Sequence, residues 1–325
     1  KDSIKKGGTI IVNIDSFNKK DFEKAGYTIS PLDDNSFEGF NIIEAPITKL
    51  TREALKDSKL DGKSIGRAKN MFALGIVYWM FNRPMIQTEK FLKEKFSKSP
   101  ELVEGNIKVM HAGYNFADTI EALPSSYTVL SANLEKGTYR NVMGNQAIAW
   151  GFLAAAERSN KQLFLGSYPI TPASDILHEL AKHKHLGVKT FQAEDEIASI
   201  CAAIGASFVG NLAITTTSGP GLALKSEALG LAIMTELPLV VVDVQRGGPS
   251  TGLPTKTEQS DLMQALYGRN GESPAIVLAS STPGNCFDWA YIASKITLEH
   301  NTPVVLLSDG YLGNGAEPWK IKSIK

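Results

Sequence analysis

The sequence carries prolines, acids, glycines and one arginine at the ends of predicted strands, where side chains can meet a ligand. The first such segment follows the apolar run 163–166 and reads Tyr168-Pro169-Ile170-Thr171-Pro172. Proline fixes φ and removes a backbone donor, so two prolines this close predict a rigid kink that presents the Thr171 hydroxyl. In open α/β sheets, ligands bind at the carboxyl ends of strands. A strand-to-helix turn without a ligand is the alternative.

Three acids begin the next predicted helix, at Glu194, Asp195 and Glu196. Acids in a first helical turn complement the helix dipole, which accounts for Asp195 and leaves Glu194 open between that role and a ligand contact. Glu196 differs because a helix face of small residues follows it and permits close packing. A carboxylate on such a buried face has a perturbed pKa and usually a designated partner, so Glu196 is a candidate site residue.

A glycine-rich turn after the next strand predicts close approach of a flat ligand to the backbone, because glycine has no Cβ. Its residues are Ser218, Gly219, Pro220 and Gly221. The turn superficially resembles a phosphate-binding Walker loop, but that motif needs glycine before its lysine, and Leu224 precedes Lys225 here. We therefore reject the hypothesis of a P-loop nucleoside triphosphatase.

Arg246 follows a valine-rich strand and precedes Gly247-Gly248. The glycines leave the guanidinium room to reach a carboxylate with two parallel hydrogen bonds. A salt bridge to a neighbouring loop is the alternative. The four strand ends together predict one ligand crevice at a single sheet edge.

The elements that position these residues alternate between strand and helix from residue 144 onward. The strands are short Val/Ile/Leu runs, which is typical of strands covered on both faces. The alternation predicts an α/β fold with a parallel, doubly wound sheet over residues 143–325. Its predicted elements include a strand over 212–217 and helices over 196–208 and 222–235. Residues 1–124 predict a smaller α/β domain with strands near 8–13 and 40–46, a possible strand at 27–29 and a buried helix over 70–81. Residues 125–142 are interpreted as a linker.

Composition excludes several classes of protein. The 34 Lys and Arg residues balance 34 Asp and Glu residues, so charge gives no reason to expect nucleic acid or an anionic membrane as partner. No apolar run reaches the roughly 20 residues that span a bilayer. The two cysteines, Cys201 and Cys286, are too few for an iron–sulfur cluster, and Cys201 is expected to be buried in its helix. The five histidines match no metal spacing, so no metal site is expected. A reducing cytoplasm is the expected location.

Taken together, the motifs resemble the alpha subunit of 2-oxoacid:ferredoxin oxidoreductases, above all the 2-oxoglutarate type with a gamma domain fused ahead of alpha. The resemblance covers about residues 140–320, and the first unit resembles the gamma domain less specifically. The motifs that carry it recur in order and are Tyr168-Pro169-Ile170-Thr171-Pro172, Glu194-Asp195-Glu196, Thr217-Ser218-Gly219-Pro220-Gly221 and the run from Gln245-Arg246-Gly247-Gly248 to Leu253-Pro254-Thr255.

The resemblance implies a role for each candidate residue. The domain would bind the pyrimidine half of thiamine diphosphate, with Glu196 hydrogen-bonded to the aminopyrimidine ring and the 218–221 turn lining the pocket. The kink from Tyr168 through Pro169 and Ile170 to Thr171 would bind the substrate, whose carboxylate Thr171 would hold. Arg246 would contact the substrate or polarise its developing charge. Coenzyme A would take the acyl group and ferredoxin the electrons.

Departures from the family pattern limit what this chain does without a partner. The acidic loop for Mg²⁺ and diphosphate and the cysteines for a [4Fe-4S] cluster are absent from the sequence, so both are expected on a beta subunit. The resemblance implies a dimer of alpha–beta units. The sequence also lacks the family's glycine-rich opening and its last alpha domain, so a fragmentary chain is expected. Pyruvate, a branched or aromatic 2-oxoacid as substrate, or a non-catalytic assembly module of the same fold, remain alternatives.

Overall fold

A computed structural model describes residues 4–123 and 126–321 of the chain. The chain divides into two compact units, Lys1–Leu134 and Glu135–Lys325. The elements of the first unit are β1 (Thr9–Asn13), α1 (Lys19–Lys24), β2 (Asn41–Ala45), α2 (Ile47–Ala54), α3 (Gly62–Met80), α4 (Ile86–Lys95) and α5 (Pro100–Thr119).

The second unit contains the following elements: β3 (Tyr139–Met143), α6 (Gly144–Ser159), β4 (Leu163–Ser167), α7 (Ser174–Ala181), β5 (Lys189–Gln192), α8 (Glu196–Phe208), β6 (Leu212–Thr217), α9 (Gly219–Leu224), α10 (Ser226–Met234), β7 (Val240–Gln245), α11 (Leu262–Tyr267), β8 (Ile276–Ala279), α12 (Asn285–His300), β9 (Val304–Asp309), α13 (Gly310–Asn314) and β10 (Ala316–Lys320).

The predicted α/β fold with a parallel sheet is confirmed. Six strands of the second unit form a sheet in the order β5-β4-β6-β7-β9-β8, and every pair in it is parallel. One apolar cluster joins α6, α7 and α12 to one sheet face, and a second joins α8, α9, α10 and α11 to the other. Helices on both faces explain why the strands read as continuous apolar runs.

Several local predictions differ from the structure. The segment predicted as a linker ends in β3, which pairs antiparallel with β10 outside the main sheet. The helix predicted over 222–235 is two helices, α9 and α10, which meet at Lys225. Residues 27–29 form no strand, and Cys201 is exposed rather than buried.

The first unit is built around a close crossing of α3 and α5. Helix α3 starts earlier than predicted, because Asp61 caps the backbone N–H groups of Lys63 and Ser64 at 2.8 and 2.9 Å. It buries one face, including Phe72 and Ile76, rather than its whole circumference. A Cβ on Gly75 would lie 2.0 Å from the backbone oxygen of Met110 in α5, so the crossing requires glycine there.

We expect Gly75→Ala to lower the free energy of unfolding by about 1–3 kcal/mol, because the added methyl group forces the backbones of α3 and α5 apart. Gly66→Ala in the same helix is the matched control, since nothing lies within 4 Å of its Cβ position. That change should stabilise by up to about 1 kcal/mol through helix propensity. Chemical denaturation followed by circular dichroism measures both. Equal effects of the two changes would contradict a backbone-limited crossing.

Candidate active site

The sheet topology creates a crevice between the ends of β4 and β6. The chain leaves β4, forms β5 on one side of it, and returns to form β6 on the other side. Such a reversal leaves room between adjacent strand ends, and ligands bind there in open α/β sheets. The kink follows β4, and the glycine-rich turn follows β6. These two segments therefore lie at the switch point of the sheet, while Glu196 follows β5 and Arg246 follows β7.

Arg246 links the kink to the loop that follows β7. Its Nη1 donates to the backbone oxygen of Thr171 at 2.6 Å, and its Nη2 donates to that of Thr251 at 2.5 Å. The side chain is buried, with 7% exposed, and Nε has no hydrogen-bond partner among the described residues. The sequence predicted a carboxylate for this guanidinium. Within the described part of the chain its two Nη atoms each donate to a backbone carbonyl group, and Nε is without a partner there.

Glu196 and Gly221 lie against each other at the ends of β5 and β6. A Cβ on Gly221 would lie 1.9 Å from Thr217 Oγ1 and 2.8 Å from Glu196 Cγ, so no larger residue fits beside the Glu196 side chain. Glu196 is buried, with 9% exposed. Asp195 caps α8 through the backbone N–H of Ala198 at 2.7 Å, which agrees with the helix-dipole interpretation. Glu194 is exposed.

The glycine-rich turn and Arg246 share a pocket of about 640 Å³, whose wall includes Gly219 and Pro220. Ser218 at the start of the turn is fully buried, and its Oγ has no hydrogen-bond partner in residues 4–123 and 126–321. Arg246 Nε and Asp261 Oδ2, on residues of the same pocket wall, are further buried polar atoms without a partner among the described residues. Buried polar groups are normally paired, so unused ones at a strand edge point to a ligand.

Lys225 is a buried cation beneath Glu196 that sequence reasoning considered only as part of a Walker loop. Its Nζ donates to the backbone oxygen of Glu196 at 2.6 Å and to Ser199 Oγ at 2.5 Å. Burial lowers the pKa of Lys225 to about 8, and the nearby Glu196 carboxylate partly opposes that shift. The sequence signal that could have indicated this buried role is a single lysine between two apolar helical runs. Lys225 ties the first turn of α8 to the junction of α9 and α10.

The histidines lie away from this site. His111 pairs with Glu89 in the first unit at 2.8 Å, and His183 approaches Glu179 at 3.4 Å. Among the described residues, no group of three or more His, Cys, Asp and Glu side chains is arranged to hold a metal ion. No described helix is long and apolar enough to cross a bilayer.

Two family models match the chain. Residues 156–325 match the family model described as pyruvate flavodoxin/ferredoxin oxidoreductase, thiamine diphosphate-binding. The chain belongs to this family of thiamine diphosphate-binding oxidoreductases. Residues 1–116 match a second model, described as pyruvate ferredoxin/flavodoxin oxidoreductase.

The relatives that the chain matches include proteins named for 2-oxoglutarate and others named for 2-oxoacids in general. The 2-oxoglutarate oxidoreductase subunit KorA of Mycobacterium tuberculosis is 53% identical over 321 residues, which are 98% of this chain and 49% of that one. The 2-oxoglutarate synthase subunit KorA of Archaeoglobus fulgidus is 44% identical over 177 residues, covering 54% of this chain and 50% of the relative. This chain thus spans about half the length of these relatives.

A solved structure resembles both units. The 2-oxoglutarate:ferredoxin oxidoreductase from Magnetococcus marinus, solved with 2-oxoglutarate, coenzyme A and succinyl-CoA bound, matches with a TM-score of 0.83 and 34% identity. The match covers 99% of this chain and 52% of that one. The resemblance inferred from the sequence motifs is confirmed.

Arg246→Ala should lower the free energy of unfolding by about 2–3 kcal/mol, because two buried carbonyl groups lose a charged donor. Arg246→Lys should recover only part of that loss, since one ammonium group does not span two carbonyl groups as a planar fork does. Urea titration followed by tryptophan fluorescence measures the effect. Arg158→Ala, at an exposed position of α6, is the control and should change stability by less than about 0.5 kcal/mol. A small effect of Arg246→Ala would contradict the linking role.

Proposed function

We propose that this chain is part of a thiamine diphosphate-dependent 2-oxoacid:ferredoxin oxidoreductase that acts on 2-oxoglutarate. The observation that carries the proposal is the contact between the buried Glu196 and Gly221, at the carboxyl edge of a sheet that belongs to a thiamine diphosphate-binding family. The names of the similar proteins support 2-oxoglutarate as substrate. Pyruvate and branched or aromatic 2-oxoacids stay as alternatives.

The residues of the site fit the pyrimidine half of thiamine diphosphate. Gly221 leaves room for the Glu196 side chain to pack against the turn, and Ser218 Oγ is a buried polar atom without a partner among the described residues. Glu196 would hydrogen-bond the aminopyrimidine ring, and Ser218, Gly219, Pro220 and Gly221 would line its pocket. When bound, the cofactor supplies the carbanion chemistry that decarboxylation of a 2-oxoacid requires.

The kink and Arg246 would bind the 2-oxoacid. The Thr171 side chain is exposed, and its carbonyl is held by Arg246, so its hydroxyl is oriented by a fixed backbone. Thr171 would donate to the substrate carboxylate, with Tyr168, Pro169 and Ile170 forming the adjacent wall. Because each Nη of Arg246 already donates one N–H to a carbonyl group, its contribution to the substrate would be its charge and its remaining N–H groups, including that of Nε. A fixed cation stabilises negative charge without reorganisation, which is effective in a buried site.

The remaining parts of the reaction would come from other chains. We propose that a beta subunit holds Mg²⁺, the diphosphate and a [4Fe-4S] cluster, that coenzyme A accepts the acyl group, and that ferredoxin accepts the electrons released by oxidation. Decarboxylation would release carbon dioxide. The proposed assembly is a dimer of alpha–beta units in the cytoplasm, and this location stays a prediction from cysteine usage.

Exposed apolar side chains at the ends of α8, α10 and α11 support the proposal of a partner chain. The last residue of each helix is exposed: Phe208 at 78%, Met234 at 81% and Tyr267 at 74%. Exposed apolar patches on soluble domains mark interaction surfaces. Met234→Asp should therefore weaken assembly of the complex, as measured by size-exclusion chromatography with light scattering. Leu186→Asp is the control, at an exposed apolar position between α7 and β5. Equal assembly of both variants would argue against this surface.

Glu196→Gln tests the proposed activity. In a complex reconstituted with the beta subunit, 2-oxoglutarate should reduce a viologen acceptor in the presence of coenzyme A. The variant should lower the rate by at least about a hundredfold, because glutamine keeps the shape but cannot exchange the proton. Thiamine diphosphate content of the complex is measured in parallel, so that lost binding is distinguished from lost catalysis.

The control for Glu196→Gln is Glu194→Gln, two residues away and exposed, which should retain the full rate. A fully loaded complex that turns over no 2-oxoacid would contradict the proposed function. Turnover of pyruvate or 2-oxoisovalerate in preference to 2-oxoglutarate would reassign the substrate. Full activity of Glu196→Gln would remove the role of Glu196.

A further inference from the structure

Asp243 is a carboxyl group at the end of β7 that none of the roles above uses. It is fully buried, with 0% exposed. Alternation along the strand places it on the same sheet face as Val241, which packs in an apolar cluster with Leu222 and Leu307. Its register neighbours on the adjacent strands are Thr217 and Leu307, neither of which is charged. An ionised carboxylate in such surroundings is costly unless it is paired.

The polar group that Asp243 meets is a second carboxyl group, that of Asp261, within hydrogen-bonding reach. Both carboxyl oxygen atoms of Asp243 and Oδ2 of Asp261 are buried, and none accepts an N–H or O–H group from the described residues. Two carboxylates offer acceptors only, so they repel and cannot bond. One proton between them supplies the missing donor.

Neither Arg246 nor Lys225 donates a hydrogen bond to this pair. Arg246 gives its Nη atoms to the carbonyl groups of Thr171 and Thr251, and Lys225 gives its Nζ to Glu196 and Ser199. Glu258 adds negative charge next to Asp261. Burial first, and then Asp261, raise the pKa of Asp243 well above its usual range. Burial also raises the pKa of Asp261, against the hydrogen bond from Asp243.

Asp261 lies where β7, the start of α9 and the wall of the pocket meet. Its backbone N–H donates to Gln245 Oε1 in β7 at 3.0 Å. A Cβ on Gly219 would lie 2.6 Å from its Oδ2, so the carboxyl group lies against the start of α9. Both Asp261 and Gly219 belong to the wall of the 640 Å³ pocket. A bond from Asp243 to Asp261 therefore fixes this wall to the sheet.

We propose that Asp243 carries a proton at neutral pH and donates a hydrogen bond to the Asp261 carboxylate, fastening the loop of residues 246–261 against Gly219. Asp243 is then a positioning residue of the pocket wall. The inference does not depend on the substrate or cofactor, because every group in it belongs to this chain.

Because Asp243 retains this proton, the free energy of unfolding depends on pH, and the sign of that dependence can be derived. Asp243 keeps its proton in the folded chain over a pH range in which the unfolded chain has lost it, because its folded pKa is raised. Where the folded state binds more protons, stability falls as pH rises. The bond is therefore complete in acid and is lost as pH rises through the folded pKa of Asp243, which loosens the loop.

Asp243→Asn replaces the proton by a permanent amide donor of nearly the same shape. With the full chain, the thermal midpoint of the wild type should fall relative to the variant as pH rises from mildly acidic to alkaline. Hydrogen exchange of the amides in 246–261, corrected for its intrinsic pH dependence, should accelerate in alkali in the wild type and much less in the variant. If Asp243 had a merely structural role, the differences in thermal midpoint and hydrogen exchange between wild type and variant would be constant with pH.

Infrared spectroscopy detects the proton directly in the wild type. The C=O stretch of a protonated carboxyl group should be present at neutral pH, disappear in alkali, and be absent from Asp243→Asn. Asp309→Asn is the control, because that buried carboxyl group already accepts N–H groups from Tyr311, Leu312 and Gln259 at 2.7, 3.0 and 2.7 Å. The control should keep the band.

Absence of the band from the wild type at neutral pH would overturn the proposal without any variant. Persistence of the band in Asp243→Asn would place the proton on another group and overturn it as well. A pH-independent difference in thermal midpoint between wild type and Asp243→Asn would have the same consequence.

Discussion

The candidate active site depends on a cation that has no carboxylate partner among the described residues. The buried guanidinium group of Arg246 binds the carbonyl oxygen atoms of Thr171 and Thr251, and so joins the kink after β4 to the loop after β7. Burial of a charge is unfavourable unless hydrogen bonds satisfy it. The acceptors of those hydrogen bonds are backbone carbonyl groups of two loops, so the bonds fix the position of each loop relative to the guanidinium group. The position of Thr171 thus follows from Arg246.

Three buried ionisable side chains of this unit illustrate different solutions to the same desolvation cost. Arg246 uses loop carbonyl groups, and Lys225 uses the first turn of α8 together with Ser199. For Asp243, the proposed solution is a retained proton. In each case the charge or proton connects segments that are distant in sequence, so removing one of these groups affects the site through its geometry.

The sequence predicted the main features of the second unit because continuous apolar strands and glycine or proline at strand ends are local signals. Strand β6 and helix α8 begin and end as predicted. Local signals did not reveal β3 and β10, since β3 is polar and β10 contains Pro318, and their pairing is a tertiary contact. The break between α9 and α10 depends on Lys225, whose partners lie on α8. Which parts of the candidate site touch each other was likewise beyond sequence patterns, as for Glu196 and Gly221.

Asp243 is an example of a polar residue whose burial does not follow from the sequence. It interrupts a run of valines on β7, and aspartate is a residue type that is rarely buried completely unless it is paired. The structure covers the end of this strand with the 246–261 loop, and Asp261 in that loop faces the buried carboxyl group. The same loop carries the end of the hydrogen-bond network of Arg246 at Thr251. The loop is therefore held near its start by the hydrogen bonds of Arg246 and at its end by the proposed bond between Asp243 and Asp261. The position of the pocket wall depends on both.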